Sequence, residues 1–497
     1  MNVLVLVETF LLLLTICALV FGQIQHLTLF LSDAVMLYGQ MFFSVFIITL
    51  SFYYCDLYDL RIVRNFSEFT KRLPRALVIA FVSLYIFYLF SPLSKETHGA
   101  NSFWLLLIYT VSVILTVRLA LYLYLTTHAL RGRVIILGMG PFAWKIVDAI
   151  EACPYVGYTI IGFIDERRAP QQSEPHSSKY AVLGSLDRLK EILDKFRPDR
   201  IIVALTERRG RLPVQDLLDV RMAGCIVEDA VNVHERLTEK LAIESLTPST
   251  LFFSDNFTAS RFQMALRRIV SFNVALVGLL LTAPFMVLVA LAIKMDSTGP
   301  VFFIQDRCGW HGRTFRLIKF RTMYPVQPGK EDKSVWERDD SSRVTGVGKW
   351  LRKLRLDEIP QLVNVLLGDM DLVGPRPEMA SNVKTMTKEI PYYSLRMAVR
   401  PGITGWAQVR HGYSVSQEDV TEKMRYDLYY VKHMSLWLDL RILLDTVKIV
   451  LLGQNSEMNK LSEKKEANQP LTSSSVTVTL LQSEDQREKV TVHGLGS

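Results

Sequence analysis

Four apolar runs, at 3–21, 34–53, 75–93 and 103–123, constrain the fold of this chain before any other feature does. Each is about 20 residues long, the length at which a helix crosses about 30 Å of hydrocarbon. The first has neither a basic leader nor a small-residue cleavage site, so it reads as a retained span rather than a signal peptide. The loop between the second and third runs carries Arg61, Arg64, Lys71 and Arg72, whereas the first loop has no Lys or Arg and the third only Lys95. Because positive charge stays on the cytoplasmic side, both ends of a four-span helical bundle, residues 1–126, are expected in the cytoplasm.

Hydrophobic residues fill 49% of the 497 positions, and in a soluble protein the net charge of +8 would suggest nucleic acid. Here the positive residues gather beside apolar runs and beside paired carboxylates. Anionic lipid and phosphorylated substrates are therefore the expected partners, and nucleic acid is not. The five cysteines, Cys17, Cys55, Cys153, Cys225 and Cys308, have neither metal-ligand nor disulfide-like spacing and read as buried thiols.

From residue 131 to 255 the pattern becomes soluble α/β. RVIILGMGPFAWKIVDAI reads as a strand, a glycine turn at Gly138 and Gly140, and a helix; YTIIGFIDE is a second strand ending at Asp165, and DRIIVAL a third. The GxGxxA spacing fits a dinucleotide fingerprint, in which glycines admit a pyrophosphate and a later acid holds a ribose. Pro141 and the bulky Phe142 crowd that turn. Two readings stay open: a structural or regulatory Rossmann-like domain, or one that binds a nucleotide through Gly138, Gly140 and Asp165.

Residues 261–295 hold another apolar stretch, about 25 residues between Arg267/Arg268 and Lys294, with Pro284 in its middle. A straight crossing would leave Arg307, Arg313, Arg316, Lys319 and Arg321 outside the cell, against the charge rule. A re-entrant membrane hairpin kinked at Pro284 returns them to the cytoplasm. The following 296–455 read as a small, mostly α-helical catalytic domain with few strand-like alternations. Its last periodic segment, 436–452, suits either the membrane interface or a core-facing helix. The polar tail 456–497 lacks periodicity and reads as disordered.

Inside that domain, RLDEIPQLVNVLLGDMDLVGPRPE (355–378) sets two adjacent carboxylates, Asp357 and Glu358, at the start of an apolar helix with Pro360 in its first turn. A bare Asp-Glu pair is usually no more than an acidic helix start. This one has Arg352, Lys353 and Arg355 just upstream, Lys319 and Arg321 before them, and Arg376 and Arg400 downstream. Carboxylates amid so many cations suit an anionic substrate bridged by a divalent cation, because phosphate needs both charge neutralisation and a metal clamp.

The strings DSTGPVFFIQDRCG (296–309), FRLIKFRTM (315–323), LRLDEIPQLVNVLLGDMDLVGPRPE (354–378) and RPGITGWAQV (400–409) resemble, in this order, the bacterial polyprenyl-phosphate sugar phosphotransferases. These are the monotopic phosphoglycosyl transferases that start exopolysaccharide and O-antigen synthesis, and the whole layout is similar to their long, multi-span branch. The resemblance implies transfer of a sugar 1-phosphate from a UDP-sugar, such as UDP-glucose or UDP-galactose, to undecaprenyl phosphate. The products would be UMP and an undecaprenyl-diphosphate sugar. It implies Asp357 as a nucleophile that forms a covalent phosphosugar, Glu358 as its partner in the dyad, and Mg²⁺ held by the two. It implies Lys319 and Arg321 on the diphosphate, Arg376 and Arg400 on the phosphate or uridine end, and Glu378 in a loop stiffened by Pro375 and Pro377. For each lone Arg or Lys a membrane-surface charge is the plainer alternative.

The same resemblance implies the bacterial inner membrane with the catalytic domain on its cytoplasmic face, a broken re-entrant helix, and an accessory Rossmann-like domain that mediates homodimer contacts. Ala283-Pro284 stands where the family often has Ser-Pro. Two other functions compete. One is a membrane nucleotide sensor or scaffold with an inactive transferase domain, against which the intact Asp357, Glu358 and Arg376 argue. The other is a dehydrogenase using the Gly138 turn, for which no catalytic His or Tyr-Lys elements are evident.

Overall fold

The computed structural model describes residues 31–59, 66–90, 132–165, 179–205, 212–245, 260–324, 343–411 and 417–452, besides isolated positions at 9–10 and between 112 and 123. The first and fourth apolar runs, apart from those isolated positions, and the polar tail lie outside the described residues. The chain forms two compact units, Met1–Ala242 and Ile243–Ser497.

In the first unit the second and third apolar runs fall in helices α1 (Leu31–Tyr54) and α2 (Phe66–Leu89). The two pack through Val45, Ile48, Phe52, Leu73, Ala76 and Ala80. Phe42, Phe46, Val78, Val82 and Ile86 are exposed on the same helices. Apolar residues therefore occupy the outside as well as the seam, as in helices whose solvent is lipid.

The rest of this unit is a doubly wound sheet. Strands β1 (Gly132–Leu137), β2 (Tyr158–Asp165), β3 (Val182–Ser185), β4 (Arg200–Val203) and β5 (Ile226–Asp229) pair in parallel in the order 3-2-1-4-5. Central β1 is apolar on both faces because helices cover both. Helices α3 (Pro141–Ala152) and, later in the chain, α6 (Ala230–Thr238) bury Ile146, Val147, Val233 and Leu237 against one face. On the other, α4 (Leu189–Phe196) and α5 (Val214–Met222) bury Ile192, Leu193 and Leu217. The sequence reading named three of the five strands.

The fingerprint residues meet at one edge of this sheet. Gly138 follows β1 with φ of +104°, and a Cβ there would come within 2.6 Å of the Ala204 carbonyl oxygen. Gly140 precedes α3, and Asp165 ends β2, buried. The feared crowding does not arise. Pro141 sits at the first helical position, where its missing N–H costs nothing, and the Phe142 ring lies 5.7 Å from that of His234 on α6.

The second unit begins with α7 (Arg261–Asp296), 36 residues that run through Pro284 as one uninterrupted helix, not as the two arms of the expected hairpin. Two residues before the proline, the Thr282 hydroxyl donates to the Gly278 carbonyl at 2.7 Å, a bond to the fourth preceding residue that bends helices without breaking them. Among the described residues α7 alone is long and apolar enough to cross a membrane. Leu280, Leu281, Val287 and Leu288 are exposed along it.

Both ends of α7 are fastened to the same unit. Near its start Arg267 bonds Asp439 (Nε to Oδ2, 2.6 Å), the Val373 carbonyl and the Tyr430 hydroxyl, and Arg268 donates to the Met370 carbonyl at 3.1 Å. Near its end Val289 and Ile293 pack with Phe320 and Leu351, and the Asp296 carboxylate accepts from the Val347 amide at 3.0 Å.

Beyond α7 the described residues are mostly helical, as expected, with four short strands. A regular antiparallel hairpin, β6 (Phe302–Cys308) with β7 (Thr314–Phe320), follows α7. Helices α8 (Gly346–Lys353) and α9 (Gln361–Leu367) come next, then strand β8 (Asp371–Val373), helix α10 (Ala380–Glu389) and strand β9 (Gly402–Thr404), which pairs in parallel with β8. Helices α11 (Trp406–Arg410), α12 (Gln417–Lys432) and α13 (Leu436–Leu452) close the unit. In helix α13, Leu438 and Ile442 are buried in the core, as a core-facing helix requires, while Trp437, Leu440 and Val447 are exposed.

Candidate active site

Asp357 and Glu358 sit in a single 3-10 turn, Leu356–Glu358, entered through a left-handed Arg355 (φ 56°), rather than in the first turn of α9 as the sequence suggested. Pro360 ends that turn and precedes α9. The tight turn sends neighbouring side chains in different directions.

Glu358 is buried, and its Oε1 gathers three cations. Lys319 Nζ lies 3.1 Å away, Arg376 Nη2 3.0 Å and Arg355 Nη1 3.7 Å. Burial by itself would push this carboxyl up, but Arg376, Lys319 and Arg355 together outweigh it and hold the pKa down at about 2. Asp357 is in the opposite condition. Its Oδ1 is buried and has no hydrogen-bond partner, and burial, reinforced by the charge on Glu358, raises its pKa above the ordinary aspartate value. Lys319 is pulled below the usual lysine range, first by burial and then by the neighbouring Arg376. One carboxylate is therefore committed to structure and charge, while its neighbour is left with a more basic, unshared oxygen.

Arg376 is delivered by the GPRPE loop, whose last four carbonyls are held. Pro375 accepts from the Gly402 amide at 3.0 Å, Arg376 from Arg396 Nη2 at 3.0 Å, Pro377 from Arg307 Nη1 at 3.4 Å and Glu378 from the Cys308 amide at 2.9 Å. Gly374 cannot be replaced here, since a Cβ would come within 2.5 Å of the Arg400 carbonyl oxygen.

The structure thus brings Asp357, Glu358, Lys319 and Arg376 together and ties the other expected residues elsewhere. Arg321 turns back to Ser297, donating to its carbonyl at 2.8 Å and its hydroxyl at 2.9 Å. Arg400 donates to the Gly368 carbonyl at 3.1 Å and lies over the Trp310 ring at 4.4 Å. Glu378 pairs with Lys423 and Arg396; burial opposes its charge, but these cations prevail and its pKa falls to about 2. Arg355 joins the cluster although the sequence reading gave it no role. So does a buried group behind the loop, Arg396, Asp427 and Tyr393, which no local motif announces.

Among the described residues no three His, Cys, Asp or Glu side chains gather as a ready metal cage. Mg²⁺ does not need one, because it takes one or two carboxylates and completes its shell with water and substrate phosphate. The unshared Asp357 oxygen fits that use, with Glu358 as the second carboxylate.

Residues 262–453, which include this whole arrangement, match the bacterial sugar transferase family. A UDP-glucose:undecaprenyl-phosphate glucose-1-phosphate transferase of Klebsiella pneumoniae is 31% identical over 327 residues, 64% of this chain and 67% of that protein. The chain belongs to the bacterial sugar transferase family. An Aeromonas hydrophila relative, a UDP-N-acetylgalactosamine-undecaprenyl-phosphate N-acetylgalactosaminephosphotransferase, is 42% identical over 221 residues, 44% of this chain. A Komagataeibacter xylinus undecaprenyl-phosphate glucose phosphotransferase is 32% identical over 338 residues, 66% of this chain. The matched stretches span 51% and 61% of the lengths of these last two proteins. Residues 54–215, which include most of the doubly wound sheet, match a CoA-binding domain family.

Proposed function

We propose that this protein moves a sugar 1-phosphate from a UDP-sugar to undecaprenyl phosphate through a covalent intermediate on Asp357. The observation that carries the reading is the unequal dyad: three cations meet at Glu358 Oε1 while Asp357 keeps a buried oxygen with no partner. In the first half-reaction an Asp357 carboxylate oxygen attacks the phosphorus that bears the sugar. The bond from that phosphorus to the bridging oxygen breaks, and UMP leaves with the oxygen and its electron pair. In the second, a phosphate oxygen of undecaprenyl phosphate attacks the same phosphorus, the phosphorus–oxygen bond to Asp357 breaks, and the carboxylate is restored.

Lys319 and Arg376, fixed by Glu358, supply positive charge beside the dyad for the phosphoryl oxygens, where preorganised charge does most of the catalytic work. Asp357 and Glu358 would hold Mg²⁺, which would supply further charge neutralisation on the diphosphate. The sugar is a hexose or an N-acetylhexosamine, and the product begins an extracellular polysaccharide. Membranes carrying the protein, given undecaprenyl phosphate and UDP-glucose, UDP-galactose or UDP-N-acetylgalactosamine, should release UMP with at least one donor. Release with none would end the reading.

The reading sets the catalytic unit on the cytoplasmic face of a bacterial inner membrane, anchored by a four-span bundle and a re-entrant α7, with the doubly wound domain joining two copies. Fastening of both ends of α7 to one unit supports re-entry, since a bilayer would separate the ends of a crossing helix. Phe262 and Met295 are 74% and 88% exposed near those ends. Cysteines at the two positions should react with an impermeant thiol reagent from the same face of sealed vesicles; labelling from opposite faces rules out re-entry.

A further inference from the structure

Behind the GPRPE loop, away from the dyad, lies a buried polar group that the chemistry does not use directly. Arg396 is almost wholly enclosed, and its guanidinium fork makes three bonds at once: Nη1 to the Tyr393 hydroxyl at 2.7 Å, Nη2 to Asp427 Oδ2 at 2.7 Å, and Nη2 to the Arg376 carbonyl at 3.0 Å. Asp427 is equally enclosed. Taking two charges out of water is expensive, and a hydrophobic pair of similar volume often serves stability as well or better. A buried ion pair that ends on one particular backbone carbonyl therefore calls for a reason beyond stability, and that carbonyl belongs to the residue whose side chain meets Glu358 at 3.0 Å.

We propose that Arg396 and Asp427 are positioning residues, which act through the Arg376 carbonyl to hold the Arg376 guanidinium against Glu358 and so set the charge beside Asp357. Asp427 aims the fork of Arg396, Arg396 fixes the peptide after Arg376, and the fixed peptide leaves the Arg376 side chain one productive direction. A lysine at 396 keeps the charge but lacks the planar fork that reaches all three acceptors. The inference rests on the proposed transferase reading for its kinetic consequences and on the geometry alone for its structural ones.

The decisive variant removes both partners of the pair together and leaves Glu378 its Lys423 partner: Arg396→Met with Asp427→Leu and Tyr393→Phe, in the full-length protein in nanodiscs. Its melting temperature should stay near wild type, whereas turnover should fall about 10- to 100-fold, the loss expected when a reacting group is misplaced by about 1 Å. In an Arg376→Gln background the same triple change should cost less than about threefold, because residues acting in series are not additive. Arg396→Lys should reproduce most of the loss. Additive losses in the Arg376→Gln background, or full turnover in a folded triple variant, overturn the proposal.

Should wild type release no UMP from any donor, the transferase reading fails, and amide hydrogen exchange over residues 374–379 then decides the positioning claim. That segment should exchange about tenfold faster in the triple variant when its carbonyl clamp is lost; unchanged exchange refutes the clamp.

Discussion

Asp357→Asn is expected to lower UMP release by about 10³-fold or more, with donor binding and folding left near wild type. Asparagine matches aspartate in size and makes no acyl phosphate, so the loss reports the missing nucleophile rather than a gap in packing. The Asp357 Oδ1 atom has no partner to leave stranded, which removes the usual structural cost of changing a buried carboxylate. Wild-type protein incubated with a donor labelled in its sugar and quenched without acceptor should carry hydroxylamine-labile label on the peptide containing position 357. Turnover of Asp357→Asn within tenfold of wild type, or label on another peptide, sinks the assignment.

Glu358→Gln should act by a different route. It leaves the Lys319 and Arg376 charges without their carboxylate, and breaking a buried ion pair from one side costs about 3–5 kcal/mol. The pH dependence gives a second readout. The pKa of Glu358 drops from 4.5 unfolded to about 2 folded, so its stabilising contribution is complete above pH 4.5 and is lost as pH falls toward 2. The variant lacks that part of the acid transition. Asp357 is raised by burial first and by Glu358 second, so removing the Glu358 charge should also move the acid limb of turnover to lower pH. An unmoved acid limb in a folded Glu358→Gln protein would show that the two carboxylates do not sense each other.

The dyad was legible in the sequence because its meaning is local: two adjacent acids among cations, closed by a proline-rich turn. The Rossmann-like sheet was legible through β1, β2 and β4, which carry apolar runs, but β3 (VLGS) and β5 (IVED) have only two adjacent apolar residues each and offer no such run. The β6–β7 hairpin was missed because FRLIKF breaks alternation at Leu317-Ile318 and the GWHG connection bears no familiar two-residue turn signal. Arg321 and Arg400 were grouped with the substrate on charge and on the family resemblance. Their placement depends on Ser297, Gly368 and Trp310, contacts that no spacing rule encodes. Arg396 and Asp427 lie 31 residues apart on separate elements, so their pairing exists only once the fold does.

Arg267 finds its carboxylate partner 172 residues further along the chain. Synthesis therefore completes α7 well before it reaches Asp439, and for that interval the guanidinium near the helix start lacks that acid. Final seating of the helix waits on synthesis of nearly the entire catalytic unit. Chains stopped short of position 439 are left with an unclasped apolar segment, the kind of product that membrane proteases remove.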